Sequence, residues 1–303
     1  MNLLPPITPQ FITFIQGLLK FGGLNDTHLE SFTDSKSMCA FRQAFTHKSY
    51  SSKFNYERFE YSGDLTLNLC VGNYIRDYYS QIINIDWLSH MKLYFISKKL
   101  LGLIAERHGF FKHIVYNDKV RKLLNVHNMK DTALYKDMME DTVEAFLGAL
   151  QKVSEQKNKK FGTYVDISRN IIYSYLDQID IDPNDYEAYY DETSRLKEIY
   201  DKYHWDFSTA ISYFSDRKGY TATIRTYPDG DREPLLQNKV EYRFTASSKD
   251  SAKKGVIKLA LKELKTQYDI KPRIPVPTQK TPWKPKKVSI PIMLPKHREL
   301  PEA

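Results

Sequence analysis

Residues 56–79 read YERFEYSGDLTLNLCVGNYIRDYY and decide how the chain is organised. Glu57, Glu60 and Asp64 recur at helical spacing, and residues three and four apart share a helix face. Continued past Asp64, that face collects Leu67, Val71, Tyr74 and Tyr78. The acids therefore prolong an apolar stripe, whereas an amphipathic helix ordinarily puts charge on the opposite side. Carboxylates turned toward a core need a partner, and a metal ion is one of the few adequate ones.

Working outward, residues 8–20 predict a helix with Thr8 as N-cap and Pro9 in its first turn, stopped by Gly22 and Gly23. Residues 38–50 predict a short helix leading into the opening stretch, and residues 89–110 a single helix ended by Gly109. In LYKDMMEDTVEAFLGAL, residues 134–150, Met139, Val143, Phe146 and Leu150 form one face. Asp141, Ala145 and Gly148 lie on the other, with Glu144 at its margin. Small residues there admit a close neighbour, so this helix is expected to be enclosed on both sides. Residues 164–179 close the helical series.

The pattern then changes. Residues 181–192 read as an acidic, tyrosine-rich linker. Residues 193–270 give a helix (194–203), three β-rich runs (207–213, 220–227 and 241–246) and a helix over 248–268, with Ala252, Val256, Leu259, Ala260 and Leu264 inward. The expected fold is an all-α domain over 31–180, preceded by an extension over 1–30 and followed by a small α-β-β-β-α domain. The tail over 271–303 holds eight prolines and eight Lys or Arg against two Glu, a composition of an extended or disordered segment. It carries most of the chain's net charge of +8. A plain solubilising tail, a nuclear import signal and an RNA-grazing arm are all open readings of its Lys284-Pro285-Lys286-Lys287 run.

The whole chain sets further bounds. With 22 Tyr but only 12 Gly in 303 residues, helices are favoured over a glycine-punctuated all-β fold. Net positive charge admits nucleic acid or another anionic surface as partner without selecting either. Cys39 and Cys70 make neither a zinc spacing nor a disulfide framework, which fits a reduced intracellular compartment, cytoplasmic or nuclear. No signal-peptide pattern and no run of ~20 apolar residues is present, so no membrane association is expected.

Two acid pairs, Glu60 with Asp64 and Asp141 with Glu144, are thus expected on inward helical faces. Hard oxygen donors of this kind suit Mg²⁺, with Mn²⁺ as substitute, and not zinc. The chemistry such a site offers is metal-assisted phosphodiester hydrolysis.

At these residues the sequence resembles the ribonuclease III family. The signature Asn-Glu-Arg-Leu-Glu-Phe-Leu-Gly-Asp-Ser stands here as Tyr56-Glu57-Arg58-Phe59-Glu60-Tyr61-Ser62-Gly63-Asp64-Leu65. The upstream Leu-Thr-His-x-Ser element is Phe45-Thr46-His47-Lys48-Ser49. The second acidic element is Glu140-Asp141-Thr142-Val143-Glu144-Ala145-Phe146-Leu147-Gly148. Three ordered motifs are far more specific than one. The resemblance implies an all-α endonuclease domain that homodimerises and cuts double-stranded RNA, leaving 5′-phosphate and 3′-hydroxyl ends. It implies Glu60, Asp64, Asp141 and Glu144 as metal-binding carboxylates, Asp64 and Glu144 as the catalytic pair, and Glu57 as an accessory acid. His47 reads as structural. Tyr56, Leu65 and Glu140 depart from the family pattern.

Residues 193–270 resemble a double-stranded RNA-binding domain. Its basic helix start, Lys-Lys-x-Ala-Lys, stands as Lys249-Asp250-Ser251-Ala252-Lys253, followed by Lys254. The family's Gly-Pro-x-His loop is replaced by Asp216-Arg217-Lys218-Gly219. Lys249, Lys253, Lys254, Arg217 and Lys218 are the implied RNA contacts. Two other function classes remain open at this point. One is a catalytically weak or inactive protein that binds duplex RNA, either ribosome-associated or sequestering it. The other is a helical phosphohydrolase acting on nucleotides.

Overall fold

The computed structural model describes residues 4–80, 82, 85–125, 129–158, 162–179, 190, 192–208, 210–216, 219–226 and 240–271. The predicted Pro-rich tail beyond 271, most of the 181–192 linker, and Arg217 and Lys218 lie outside them. The chain divides into two units, Met1–Ile83 with Met91–Ile181 and Pro282–Ala303, and Asn84–His90 with Asp182–Thr281.

The helices up to residue 179 are α1 (Pro9–Phe21), α2 (Asp26–Phe32), α3 (Ser35–Ala44), α4 (Glu57–Tyr78), α5 (Ile85–Phe95), α6 (Lys98–Arg107), α7 (Asp118–Asn125), α8 (Ala133–Asn158) and α9 (Thr163–Leu176). Helix α1 starts as expected: Thr8 accepts from the Phe11 N–H, Pro9 opens the first turn and Gly22 ends it. Its apolar face, Phe11, Ile15, Leu18 and Leu19, is buried, so this segment contributes to the core of the helical unit. Cys70 is buried in α4 and free, where it fills the place of a small apolar side chain.

Two helical expectations need correction. The helix predicted over 38–50 runs over Ser35–Ala44 instead, capped at its start by Asp34, which accepts from the Ser37 N–H at 2.8 Å. It stops because Thr46 forms a parallel bridge with Val115, and the His47 N–H donates to the Val115 carbonyl at 2.9 Å. The helix predicted over 89–110 is two, broken at residues 96–97, where Ser97 takes the extended conformation of an N-cap. Helical periodicity continues through the break, which is why sequence alone merges the two.

Helices α4 and α8 form the centre of the helical unit. Along α8, Met138, Met139, Val143, Ala145, Phe146, Leu147, Ala149 and Leu150 are all buried, so it is enclosed on more than one side. The contact between the two helices is backbone on backbone. A Cβ on Gly63 would overlap the Glu144 carbonyl, and one on Gly148 would overlap the Phe59 carbonyl and the Ser62 hydroxyl. The glycines of both acidic motifs thus set how closely the acid-bearing helices approach.

In the second unit, α10 (Glu192–Tyr203), β1 (Ile211–Asp216), β2 (Gly219–Thr226), β3 (Val240–Ala246) and α11 (Lys249–Tyr268) give the expected α-β-β-β-α order. The sheet is antiparallel in the order β1-β2-β3, with Ile211 opposite Ile224 and Ile224 opposite Tyr242. Leu196, Ile199 and Tyr200 of α10 meet Ala222, Ile224 and Tyr242 of the sheet and Ala252, Val256, Ile257, Ala260 and Leu264 of α11. Ile257, not Leu259, completes the inner face of α11; Leu259 is only partly buried. The first strand begins four residues later than predicted, because Asp206 accepts from both the N–H and the hydroxyl of Ser208 and holds a turn there. Among the described residues no helix is long and apolar enough to cross a membrane.

Candidate active site

The start of α4 is built by side chains rather than by a standard cap. Tyr56 occupies the N-cap position without a side-chain bond to the helix; the Asn55 side chain accepts from the Glu57 N–H at 3.0 Å. Asn55 is itself held, donating to the Ser51 carbonyl at 3.0 Å. His47, buried behind this turn, accepts at Nδ1 from the Ser49 N–H and pairs with the Ser49 hydroxyl at 2.7 Å. A ring nitrogen that accepts from a backbone N–H carries no proton, so His47 is the Nε2–H tautomer. It serves as scaffold, as its sequence position implied.

The structure brings the predicted acids together across the α4–α8 contact. Glu60 and Asp64 of α4 interact electrostatically with Asp141 and Glu144 of α8. Burial pushes the Glu60 carboxyl up to about 7, reinforced by the charges of Asp141 and Glu57. Burial, then the charges of Asp64, Glu140 and Glu60, push Glu144 up to about 8. Asp141 is also raised by burial, with a hydrogen bond from Tyr56 opposing the shift. Glu57 sits apart, exposed at the rim in an ion pair with Lys48 at 3.1 Å.

Lys98 and Asn68 had no signal in the sequence, and Glu140 showed only as a departure from the family pattern. Glu140, one position before Asp141, pairs with Lys98 at 2.8 Å, and Lys98 also reaches Asp137 at 2.9 Å. Lys98 is the first residue of α6, where a cation opposes the helix dipole; the break before Ser97 puts it there. Asn68 donates to Asp64 Oδ1 at 2.7 Å. Lys48 and Lys98 thus pair with Glu57 at the rim and with the half-buried Glu140, while no described residue donates a hydrogen bond to the carboxylates of Glu60 or Glu144.

Among the described residues no lysine or arginine forms an ion pair with Glu60, Asp64, Asp141 or Glu144, although the charges of Lys48 and Lys98 reach Asp141, and this all-oxygen donor set fits a hard divalent ion. The side chains are not drawn into a finished cage: among the described residues no group of three or more His, Cys, Asp or Glu is placed to hold a metal ion.

Residues 57–153, which include both acid pairs, match the family model for the ribonuclease III domain. These residues are a ribonuclease III domain. Ribonuclease 3 of Prochlorococcus marinus is 24% identical over 262 residues, covering 82% of this chain and 92% of its own. Ribonuclease 3 of Acinetobacter baylyi is 29% identical over 180 residues, 58% of this chain and 70% of its own. A protein of Invertebrate iridescent virus 6 is 27% identical over 205 residues, and the match spans 62% of this chain and 65% of the viral protein's length. Among solved structures, the nuclease domain of ribonuclease III from Campylobacter jejuni aligns at a TM-score of 0.41 and 24% identity, over 56% of this chain and 98% of its own.

Outside the ribonuclease III domain, the predicted RNA contacts of the second unit divide. Ser248 caps α11 by accepting from the Ser251 N–H, and Lys249 follows it with its ammonium 4.5 Å from the Tyr213 ring centroid. Lys254 is paired with Asp250 at 2.7 Å, so the aspartate that departs from the basic pattern occupies one of the lysines expected to meet phosphate. Asp250→Lys in the full-length protein should raise affinity for a long RNA duplex in EDTA. It should also steepen the dependence of log K on log salt by about one unit for each further phosphate neutralised. Filter binding across a salt series checks this, and an unchanged slope would show that this helix start does not touch the duplex.

Proposed function

We propose that the protein is a divalent-metal-dependent endoribonuclease that cuts double-stranded RNA to products with 5′-phosphate and 3′-hydroxyl ends, working as a homodimer through its helical unit. The observation that carries this reading is the facing of Glu60 and Asp64 with Asp141 and Glu144 across a glycine-mediated helix contact. In this scheme the four carboxylates hold the metal, Asp64 and Glu144 lie nearest the reacting phosphate, and Glu57 is an accessory acid. When bound, Mg²⁺ or Mn²⁺ supplies Lewis acidity that makes water nucleophilic and stabilises the departing 3′ oxygen. The chain's part is to fix these oxygens on rigid helices and keep protein cations at the rim. The second unit adds duplex affinity through Lys249, Lys253 and Lys254 at the start of α11, with Arg217 and Lys218, which lie between β1 and β2 in sequence, as further contacts.

The test is incubation of the full-length protein with a perfect RNA duplex, with Mg²⁺ or EDTA, and mapping of the product ends. Mg²⁺-dependent staggered cuts with 5′-phosphates are expected. Binding without cleavage, or cuts that persist in EDTA, would overturn the reading.

The homodimer rests on the outer face of α4. Tyr61, Leu65 and Leu69, four residues apart, are 74%, 57% and 43% exposed and form an apolar stripe on the acid-bearing helix. A second copy covering that stripe would set two acid sites in fixed relation along one duplex. Leu65→Asp should therefore shift the protein to monomer in analytical ultracentrifugation and lower cleavage. A variant that sediments as wild type would place the dimer contact elsewhere.

A further inference from the structure

Tyr56 stands where the family signature has Asn, and the structure gives its hydroxyl a specific task. The side chain is 2% exposed. Its backbone N–H donates to the Thr46 carbonyl at 3.0 Å, and its ring meets His47 edge-on with centroids 5.6 Å apart. From that fixed base the hydroxyl donates to Asp141 Oδ2 at 2.9 Å, joining the turn before α4 to the middle of α8. An ionised carboxylate only accepts, so the phenol is the donor.

We propose that Tyr56 is a positioning residue that fixes the Asp141 carboxylate for a divalent cation; the proposal rests on the metal-site reading above. The choice of group matters. Lys98 and Lys48 neutralise the acids they touch, and a cation on Asp141 would compete with a metal. A phenol satisfies one oxygen without bringing positive charge, and it leaves Oδ1 free to ligate. Hydrogen-bond partners that orient a metal ligand typically contribute about 10–100-fold to metal affinity. The ring's anchorage by Thr46 and His47 means the hydroxyl is already in place before metal arrives, so ordering Asp141 adds little to the cost of binding.

The test is Mn²⁺ titration of the full-length protein without RNA, by calorimetry and by the electron paramagnetic resonance signal of free Mn²⁺. Tyr56→Phe keeps the ring against His47 and deletes only the donor; it should weaken Mn²⁺ binding about tenfold or more. Tyr56→Asn, whose amide stops short of Asp141, is the second variant and should show the same loss, with near-ultraviolet circular dichroism confirming the fold of each. A purely structural tyrosine would lower melting temperature equally with and without Mn²⁺ and leave Mn²⁺ affinity at the wild-type value. That result in either folded variant overturns the proposal. Asp141→Asn separates the two levels: wild-type Mn²⁺ affinity in that protein would overturn the metal-site reading itself. Loss in Asp141→Asn with none in Tyr56→Phe would overturn only the role of Tyr56.

Discussion

Glu144→Gln should abolish duplex cleavage and, in the absence of divalent ions, make the protein more stable. The first effect should exceed 10²-fold in rate, beyond the ~10–100-fold typical of removing a group that merely supports a metal ligand. The second follows from linkage. Glu144 titrates near 8 and Glu60 near 7 in the folded protein, both above the ordinary glutamate value of 4.5. Between these values the folded state holds protons that the unfolded state has released. Stability without metal therefore falls as pH rises from about 4.5 to about 8. Gln removes one of the charges responsible. Discounted for the solvent that reaches a partly exposed carboxylate, the gain is about 1 kcal/mol at pH 8, or roughly 2–4 °C in Tm. It should vanish near pH 4.5, where glutamate is protonated as well. Excess Mg²⁺ should reverse the order, since a ligand stabilises only the protein that binds it. Melting curves at pH 5 and pH 8, with and without Mg²⁺, check all three statements. Parallel pH profiles for wild type and variant would show that Glu144 is not held among like charges.

Gly148→Ala should destabilise the helical unit by about 3 kcal/mol, the upper part of the usual range for overpacking. The new methyl would meet the Phe59 carbonyl, a backbone atom that cannot rotate aside. In a solvent-facing helix the same substitution would be favourable by about 1 kcal/mol, because alanine is the better helix former. Here the overlap decides the sign. Gly63→Ala should behave alike, since its Cβ would meet the Glu144 carbonyl. Gly72 lies on the same helix, α4, with nothing within 4 Å of the methyl that alanine would add, so Gly72→Ala is the internal control and should stabilise slightly. Urea denaturation of the three variants measures the difference. Equal stabilities at Gly72, Gly63 and Gly148 would mean that α4 and α8 do not touch through their backbones. Because the overlap pushes the acid pairs apart, cleavage should fall in Gly63→Ala and Gly148→Ala even at temperatures where both remain folded.

Much of this architecture is legible in the residues themselves. Glu60 and Asp64 betray themselves by lying in line with apolar residues, and burial of Leu67, Val71 and Tyr74 on α4 agrees with that alignment; Asp141 shows itself by sharing a face with Ala145 and Gly148, with Glu144 at its margin. The small residues of α8 announce a close helix, and Gly148 meets one. What sequence does not disclose depends on contacts between distant segments. Nothing local ends α3 at Ala44; the strand-like bridge from Thr46 to Val115 does. Nothing in the periodicity of residues 89–110 marks the break that lets Lys98 reach Glu140. Tyr56 is visible as an exception to a motif, but its partner lies 85 positions away. The second unit is legible in element order and inexact at strand starts, where the Asp206–Ser208 turn overrides β propensity.

The ribonuclease III match begins at Glu57, yet the helical unit is knit together well before that point. Arg42 is almost fully buried, and its guanidinium donates to the carbonyls of Phe45 and His113 while lying 4.0 Å from the centre of the Phe11 ring. Phe14 in turn stacks on the His113 ring at 4.0 Å. A charge so placed is tolerable only while its lid is in position, for burial already draws the Arg42 guanidinium down to about 10. The stretch that the family model matches and the stretch packed into one helical core are therefore different lengths of chain. A chain trimmed to the matched part would retain every acid and lose the aromatic packing that encloses Arg42.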